Sequence, residues 1–179
     1  LPAVKLNPLL SFKNKKYLSD DDMVSFQKRN LINSKSPNPS VETFLHAFLP
    51  HKFVDHTHSD AIMNLTNRSN GIELCKKTFG AKVGIVPYVM PGFALAVKIN
   101  EVLKKNKNIN CLILLNHGIF TFADNAKDAY NLMIKYISDA ERTLKKLKRK
   151  KLKQVKKVDI NLKPHEVAPI LRGLLSENK

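Results

Sequence analysis

The stretch Cys111-Leu112-Ile113-Leu114-Leu115-Asn116-His117-Gly118-Ile119-Phe120-Thr121-Phe122 decides how this chain folds. Cys111–Leu115 is a short unbroken apolar run, the pattern of a central strand covered on both faces. Asn116-His117-Gly118 interrupts it, and Ile119–Phe122 resumes as a second strand. A connection this short suits antiparallel neighbours.

Helical patterns flank this pair. Ser19 with Asp22 three residues later forms an N-cap, starting a helix through about Asn30. After a loop over Asn33–Pro39, Asn38 is expected to cap a second helix with Pro39 at its first position. That helix carries Val41, Glu42, Phe44, Leu45 and Phe48, and Pro50 ends it. A strand around His56 comes next. Short helices follow near Asp60–Thr66 and Ile72–Thr78. Lys82–Val89 reads as a strand, with Gly84 inside it. Pro91-Gly92 opens a helix to about Lys105, with Phe93, Ala96, Val97, Ile99 and Val102 as its apolar stripe. Asp124 is expected to cap a long helix from about Asn125, with Ala129, Leu132, Met133, Tyr136 and Ile137 facing inward. The interleaving predicts an α/β fold, a three-layer α-β-α arrangement with a mixed, mostly antiparallel central sheet. There is no internal repeat and no glycine-rich nucleotide loop.

The bulk numbers narrow the class. A chain of 179 residues with 43% hydrophobic residues can build one real core. No apolar run reaches the roughly 18 residues of a membrane span. Leu1-Pro2-Ala3-Val4-Lys5 has neither an initiator Met nor a signal-peptide pattern, so an incomplete or processed start is expected. Cys75 and Cys111 are isolated in apolar settings and read as buried free thiols in a reducing cytoplasm. The net charge of +16 raises nucleic acid as a partner. Glu141–Lys163, however, holds eleven basic residues against two acids, more than half of that charge. It contains no aromatic residue to stack on a base. Leu144, Leu147, Leu152 and Val155 can line one side of a helix there, so a solvated helix end and linker is the expectation, with nucleic acid and membrane disfavoured.

The chemistry-bearing residues are histidines and one acid. In Phe53-Val54-Asp55-His56-Thr57-His58-Ser59-Asp60, His56 and His58 are two apart, so on a strand they share a face about 6.6 Å apart at Cα. Both rings can then reach one ion, although two polar residues at a strand end satisfy the same pattern. His117, between two strands, needs a partner if buried. Together the three make the open three-ligand set of a catalytic zinc, with cobalt, manganese or iron as substitutes. Glu42 is either an acid favoured by its helix dipole or a general base beside the metal, and spacing does not choose. His46 shares a helix face with Glu42 and reads as packing. His51 and His165 read as surface residues. Asp55 or Asp60 could orient a histidine ring.

Pro39-Ser40-Val41-Glu42, then His56-Thr57-His58, then Asn116-His117-Gly118 resemble the ordered signature of the class II aldolase and adducin-head family, over about Asn38–Leu144. Pro39–Asp60, Val86–Leu95, Leu115–Phe122 and His165–Leu174 are further similar to the aldolase half of bacterial rhamnulose-phosphate aldolase/short-chain dehydrogenase fusions. The resemblance implies a zinc or other divalent metal at His56, His58 and His117, with Glu42 as the catalytic acid/base. It implies an aldehyde-lyase that splits a ketose 1-phosphate into dihydroxyacetone phosphate and an aldehyde, lactaldehyde for the closer match. It also implies rhamnose catabolism in the cytoplasm, a sugar-phosphate substrate and a homotetramer. Residues 1–146 would be the aldolase-like domain without its upstream phosphate-binding loops, and 147–179 a linker toward an absent dehydrogenase domain. An inactive aldolase-like interaction module, or a sugar-phosphate epimerase or decarboxylase, are the alternatives.

Overall fold

The computed structural model describes residues 2–106, 108–147 and 162–176. The chain divides into Leu1–Leu147 and Lys148–Lys179. In the first unit, strands β1 (Phe53–Thr57), β2 (Val83–Val86), β3 (Cys111–Leu114) and β4 (Gly118–Ala123) form one sheet in the order β1-β4-β3-β2. β1 and β3 both run antiparallel to β4, and β2 runs parallel to β3. The sheet is therefore mixed and mostly antiparallel, as the strand-turn-strand pattern suggests.

The period-2 alternation of β3 and β4 splits the core in two. Leu112, Leu114, Phe120 and Phe122 face one side, and Cys111, Ile113 and Ile119 face the other. On the first side lie α1 (Leu6–Leu10), α2 (Asp20–Arg29), α3 (Thr43–Phe48) and α6 (Phe93–Lys105). They contribute Leu9, Met23, Phe44, Phe48, Phe93 and Ile99. On the second side lie α4 (Asp60–Thr66), α5 (Gly71–Phe79) and α7 (Ala126–Lys146), with Ile62, Leu65, Cys75, Phe79, Met133 and Tyr136. Helices on both faces make three layers. Gly84 leaves no room for a side chain: an added Cβ would meet Ile109 Cδ1 and Leu112 Cδ2 at 2.8 Å and Val102 Cγ1 of α6 at 3.1 Å. Both cysteines are buried and free. Burial pushes the Cys75 thiol up to about 11 and the Cys111 thiol well above its ordinary value, so both stay protonated.

Several boundaries differ from the sequence expectation. Ser19 does cap α2, its hydroxyl accepting from the Asp22 N–H at 3.2 Å. Asn38 and Pro39 do not open α3. That helix begins at Thr43, because Ser40 folds the chain into a turn: its Oγ accepts from the Glu42 N–H and its carbonyl accepts from Thr43 Oγ1. The strand expected over Lys82–Val89 is trimmed to β2 by a 3-10 turn at Gly80–Lys82 and an irregular stretch after Val86. Asn125, not Asp124, caps α7, accepting from the Asp128 N–H at 2.9 Å. Asp124 instead pairs with His51 at 3.1 Å. His51 is consequently half-buried, stacked on Phe122 at 5.1 Å between centroids, rather than a surface residue. Along α7, Ala129, Met133 and Tyr136 are buried, as is Ala140, while Leu132 and Ile137 are half-buried. Leu144 and Leu147 pack against the second core, and Leu152 and Val155 lie outside the described residues. In the second unit, α8 spans Pro164–Ser176 and carries an exposed His165.

The reassigned cap is testable. Replacing Asn125 by Ala should lower unfolding stability by about 1 kcal/mol. Replacing Asp124 by Ala removes only an exposed hydrogen bond to His51, so its effect in urea denaturation should be less than half as large.

Candidate metal centre

Four side chains converge at one end of the sheet. The C-terminal ends of β1 and β3 and the start of β4 meet there through the pairings Thr57↔Ile119 and Leu114↔Gly118. His56 is the fourth residue of β1, and His58 lies one residue past the strand end. His117 sits in the turn between β3 and β4. Its N–H donates to the Leu114 carbonyl at 3.2 Å, and Asn116 before it takes φ 59, a left-handed conformation that Asn tolerates. Glu42 stands at the N-cap of α3, held in place by the Ser40 turn.

One ligand atom from each of Glu42, His56, His58 and His117 can be chosen so that all lie within 4.8 Å of one another. His56 Nε2 is 3.0 Å from His58 Nε2 and 3.4 Å from Glu42 Oε2, and His117 Nε2 is 3.0 Å from Glu42 Oε1. A tetrahedral ion with bonds of about 2.0 Å separates its ligands by about 3.3 Å, so these spacings fit. His117 is buried, Glu42 and His56 are nearly so, and His58 faces solvent.

The protonation pattern also suits an ion. His56 Nδ1 lies 2.9 Å from the Ile119 carbonyl, which can only accept, so Nδ1 carries the proton. Neutral His56 therefore presents a bare Nε2 lone pair to the cluster. Burial lowers the pKa of His56 below its ordinary 6.5, against the Ile119 hydrogen bond and the Glu42 charge. Burial lowers His117 in the same way, with Glu42 opposing. Both rings thus stay neutral at neutral pH, the form that binds metal. Glu42 Oε1 and His117 Nδ1 are buried without a hydrogen-bond partner. Glu42 Oε1 meets His117 as an ionic neighbour, its charge acting against the effect of burial on that ring. Leaving a buried polar atom unpaired costs about 1–3 kcal/mol, a cost that an ion at the centre of the cluster would relieve at the carboxylate.

The structure brings together all four residues singled out in the sequence. His46 stays outside the cluster, its ring edge-on to Phe120 at 5.3 Å. Neither Asp55 nor Asp60 makes a side-chain hydrogen bond to a cluster ring, and the orienting group is the Ile119 main-chain carbonyl. Sequence reasoning missed this, because a carbonyl has no residue-type signature. It also missed the steric role of Gly118. An added Cβ there would meet the Thr57 carbonyl oxygen at 2.6 Å, His58 Cδ2 at 3.0 Å and His56 Cε1 at 3.2 Å. Glycine at this position is what lets the histidine pair lie against β4.

Residues 11–143 match the family model described as the class II aldolase and adducin N-terminal domain. The chain is 36% identical over 139 residues to an uncharacterized oxidoreductase of Bacillus subtilis, YuxG, covering 78% of this chain and 20% of that protein. It is 28% identical over 131 residues to a methylthioribulose-1-phosphate dehydratase of Methylococcus capsulatus, covering 62% of this chain and 64% of that one. The chain thus spans less than two thirds of each curated relative. Among solved structures, the N-terminal class II aldolase domain of a conserved protein from Thermoplasma acidophilum superposes with a TM-score of 0.73 at 39% identity, over 80% of this chain and 66% of that one. An aldolase II superfamily protein from Pseudomonas syringae shares the fold alone, with a TM-score of 0.53 at 13% identity over 65% and 50% of the two chains. With the domain model spanning most of the chain, and an α/β sandwich whose sheet end gathers Glu42 and three histidines, this protein belongs to the class II aldolase and adducin N-terminal domain family.

Proposed function

We propose that this chain carries a divalent-metal lyase centre acting on a ketose 1-phosphate, rhamnulose 1-phosphate or a close relative, and releasing dihydroxyacetone phosphate and an aldehyde such as lactaldehyde. The convergence of Glu42, His56, His58 and His117 within ligand range supports this reading most strongly. His56, His58 and His117 would hold the ion, and an all-nitrogen set suits zinc. The bound ion supplies Lewis-acid polarisation of a substrate carbonyl. Glu42 handles the proton. Its carboxylate stands 3.0 Å from His117 Nε2 and 3.4 Å from His56 Nε2, beside the ion they would hold, where it can take a proton from carbon next to the carbonyl or return one. In the cleavage direction the hydroxyl on the departing carbon gives its proton to Glu42, the carbon–carbon bond breaks with its electron pair left on the three-carbon fragment, the aldehyde departs and Glu42 returns the proton to that fragment. Ser40 fixes the main chain at Glu42 by accepting a hydrogen bond from its N–H.

The Methylococcus relative favours a second reading, dehydration of a sugar phosphate. The same carboxylate would remove a proton next to a carbonyl, and water rather than an aldehyde would leave. The resemblance to the fusion proteins extends the proposal to a cytoplasmic homotetramer in which 147–179 leads toward a dehydrogenase domain. No helix among the described residues is long and apolar enough to cross a membrane.

Three outcomes test the centre. Bound zinc, measured by atomic absorption after dialysis, should fall sharply in His58→Ala, and an unchanged stoichiometry would sink the ligand assignment. Protons compete for His56 and His117 only below the ordinary 6.5, because burial lowers both. Zinc affinity should therefore hold between about pH 8 and about pH 7 and weaken as the pH falls below about 6. With rhamnulose 1-phosphate as substrate, Glu42→Gln should retain zinc yet lose about 10²–10⁴-fold in turnover. Triose phosphate with an aldehyde among the products supports cleavage, whereas a dehydrated ketose supports the second reading.

A further inference from the structure

We propose that Phe120 is a positioning residue for the metal centre, setting the plane of the His56 imidazole so that its Nε2 points at the ion. The proposal rests on the reading of the four-residue cluster as a metal site.

His56 and Phe120 are directly paired across β1 and β4. Their rings stack at 3.9 Å between centroids and 11° between planes, the closest and most parallel of the aromatic contacts described. Phe120 is fully buried in the first core, so its own plane is held by packing. His58 and His117 meet His56 edge-on instead, at 77° and 88°.

Two restraints on His56 do different work. The hydrogen bond from Nδ1 to the Ile119 carbonyl distinguishes the two ring flips, because only one places a donor at that oxygen. A single hydrogen bond still allows the ring to tilt, since the side-chain torsion of histidine next to its ring is broad. The Phe120 face removes that freedom. Together they specify both the plane and the nitrogen offered, and both come from adjacent residues of β4. Phe122 supplies an internal comparison. It lies two residues on, on the same face, is equally buried, and also stacks on a histidine. That histidine is His51, which does not belong to the cluster.

The experiment compares cobalt binding, by visible absorption titration, in the whole chain and in Phe120→Leu and Phe122→Leu. Both variants shorten a buried ring and should lose similar stability in urea. Only Phe120→Leu should weaken cobalt affinity, by about tenfold or more, and alter the band shape that reports ligand geometry. Equal affinities and spectra in the two variants overturn the proposal. If the unmodified chain binds no cobalt, the metal reading itself fails. Should Phe120→Leu not fold, nuclear magnetic resonance of the unmodified, metal-free chain decides: the His56 ring protons should lie upfield of those of His58, shielded by the Phe120 face. Unshielded His56 protons overturn it.

Discussion

The candidate metal centre depends on the antiparallel register between β1 and β4. Phe53↔Ala123 through Thr57↔Ile119 is an unbroken ladder, and it ends where the four side chains meet. A slip of one residue would turn His56 to the opposite face of the sheet, away from Glu42 and Phe120. The same register brings Gly118 under the histidine pair, where any side chain would collide with the Thr57 carbonyl. Packing and chemistry are therefore set by one set of main-chain hydrogen bonds. The apolar alternation of β4 secures that ladder, since Phe120 and Phe122 bury into one core while Ile119 buries into the other.

Much of this was legible in the sequence, because the relevant signals are local. The run Cys111–Leu115 had to be a covered strand, and the break at Asn116-His117-Gly118 had to be a tight turn. Ser19 as a cap and the inward stripe of α7 follow from one-helix rules. The candidate site was legible as residue types in order, Glu42, then His56 and His58, then His117. What could not be read were choices between near-equal neighbours. Asp124 and Asn125 are both good caps, and the balance is tipped by His51, which engages Asp124 from a distant segment. The start of α3 depends on the hydroxyls of Ser40 and Thr43 forming a turn that competes with helix. Ile119 as the orienting acceptor was invisible, because every residue has a carbonyl and only the strand pairing selects one.

The four cluster residues lie at or near the ends of elements: Glu42 at a helix N-cap, His56 and His58 about the end of β1, and His117 in the three-residue turn between β3 and β4. This has a physical reason. Strand and helix interiors in this fold are committed to two apolar cores, and a carboxylate or imidazole placed there would lack partners. At an element end, the backbone stays anchored while the side chain can reach a polar neighbour or solvent. His58 takes the solvent option and is the exposed member of the set. That leaves one side of the cluster open, which an ion needs if a substrate is to reach it.

The cluster and the core beneath it are also energetically opposed. Two buried polar atoms, Glu42 Oε1 and His117 Nδ1, lack hydrogen-bond partners beside the first core. Each favours local opening, and the lowered pKa values of His56 and His117 show the same burial acting on their charged forms. The aromatic layer opposes that opening. Phe44, on the helix whose N-cap is Glu42, packs edge-on against Phe48 of the same helix and Phe93 of α6. A stiff apolar floor thus holds an under-satisfied polar rim in place. An ion held by the cluster would add its binding free energy to the stability of this end of the sheet.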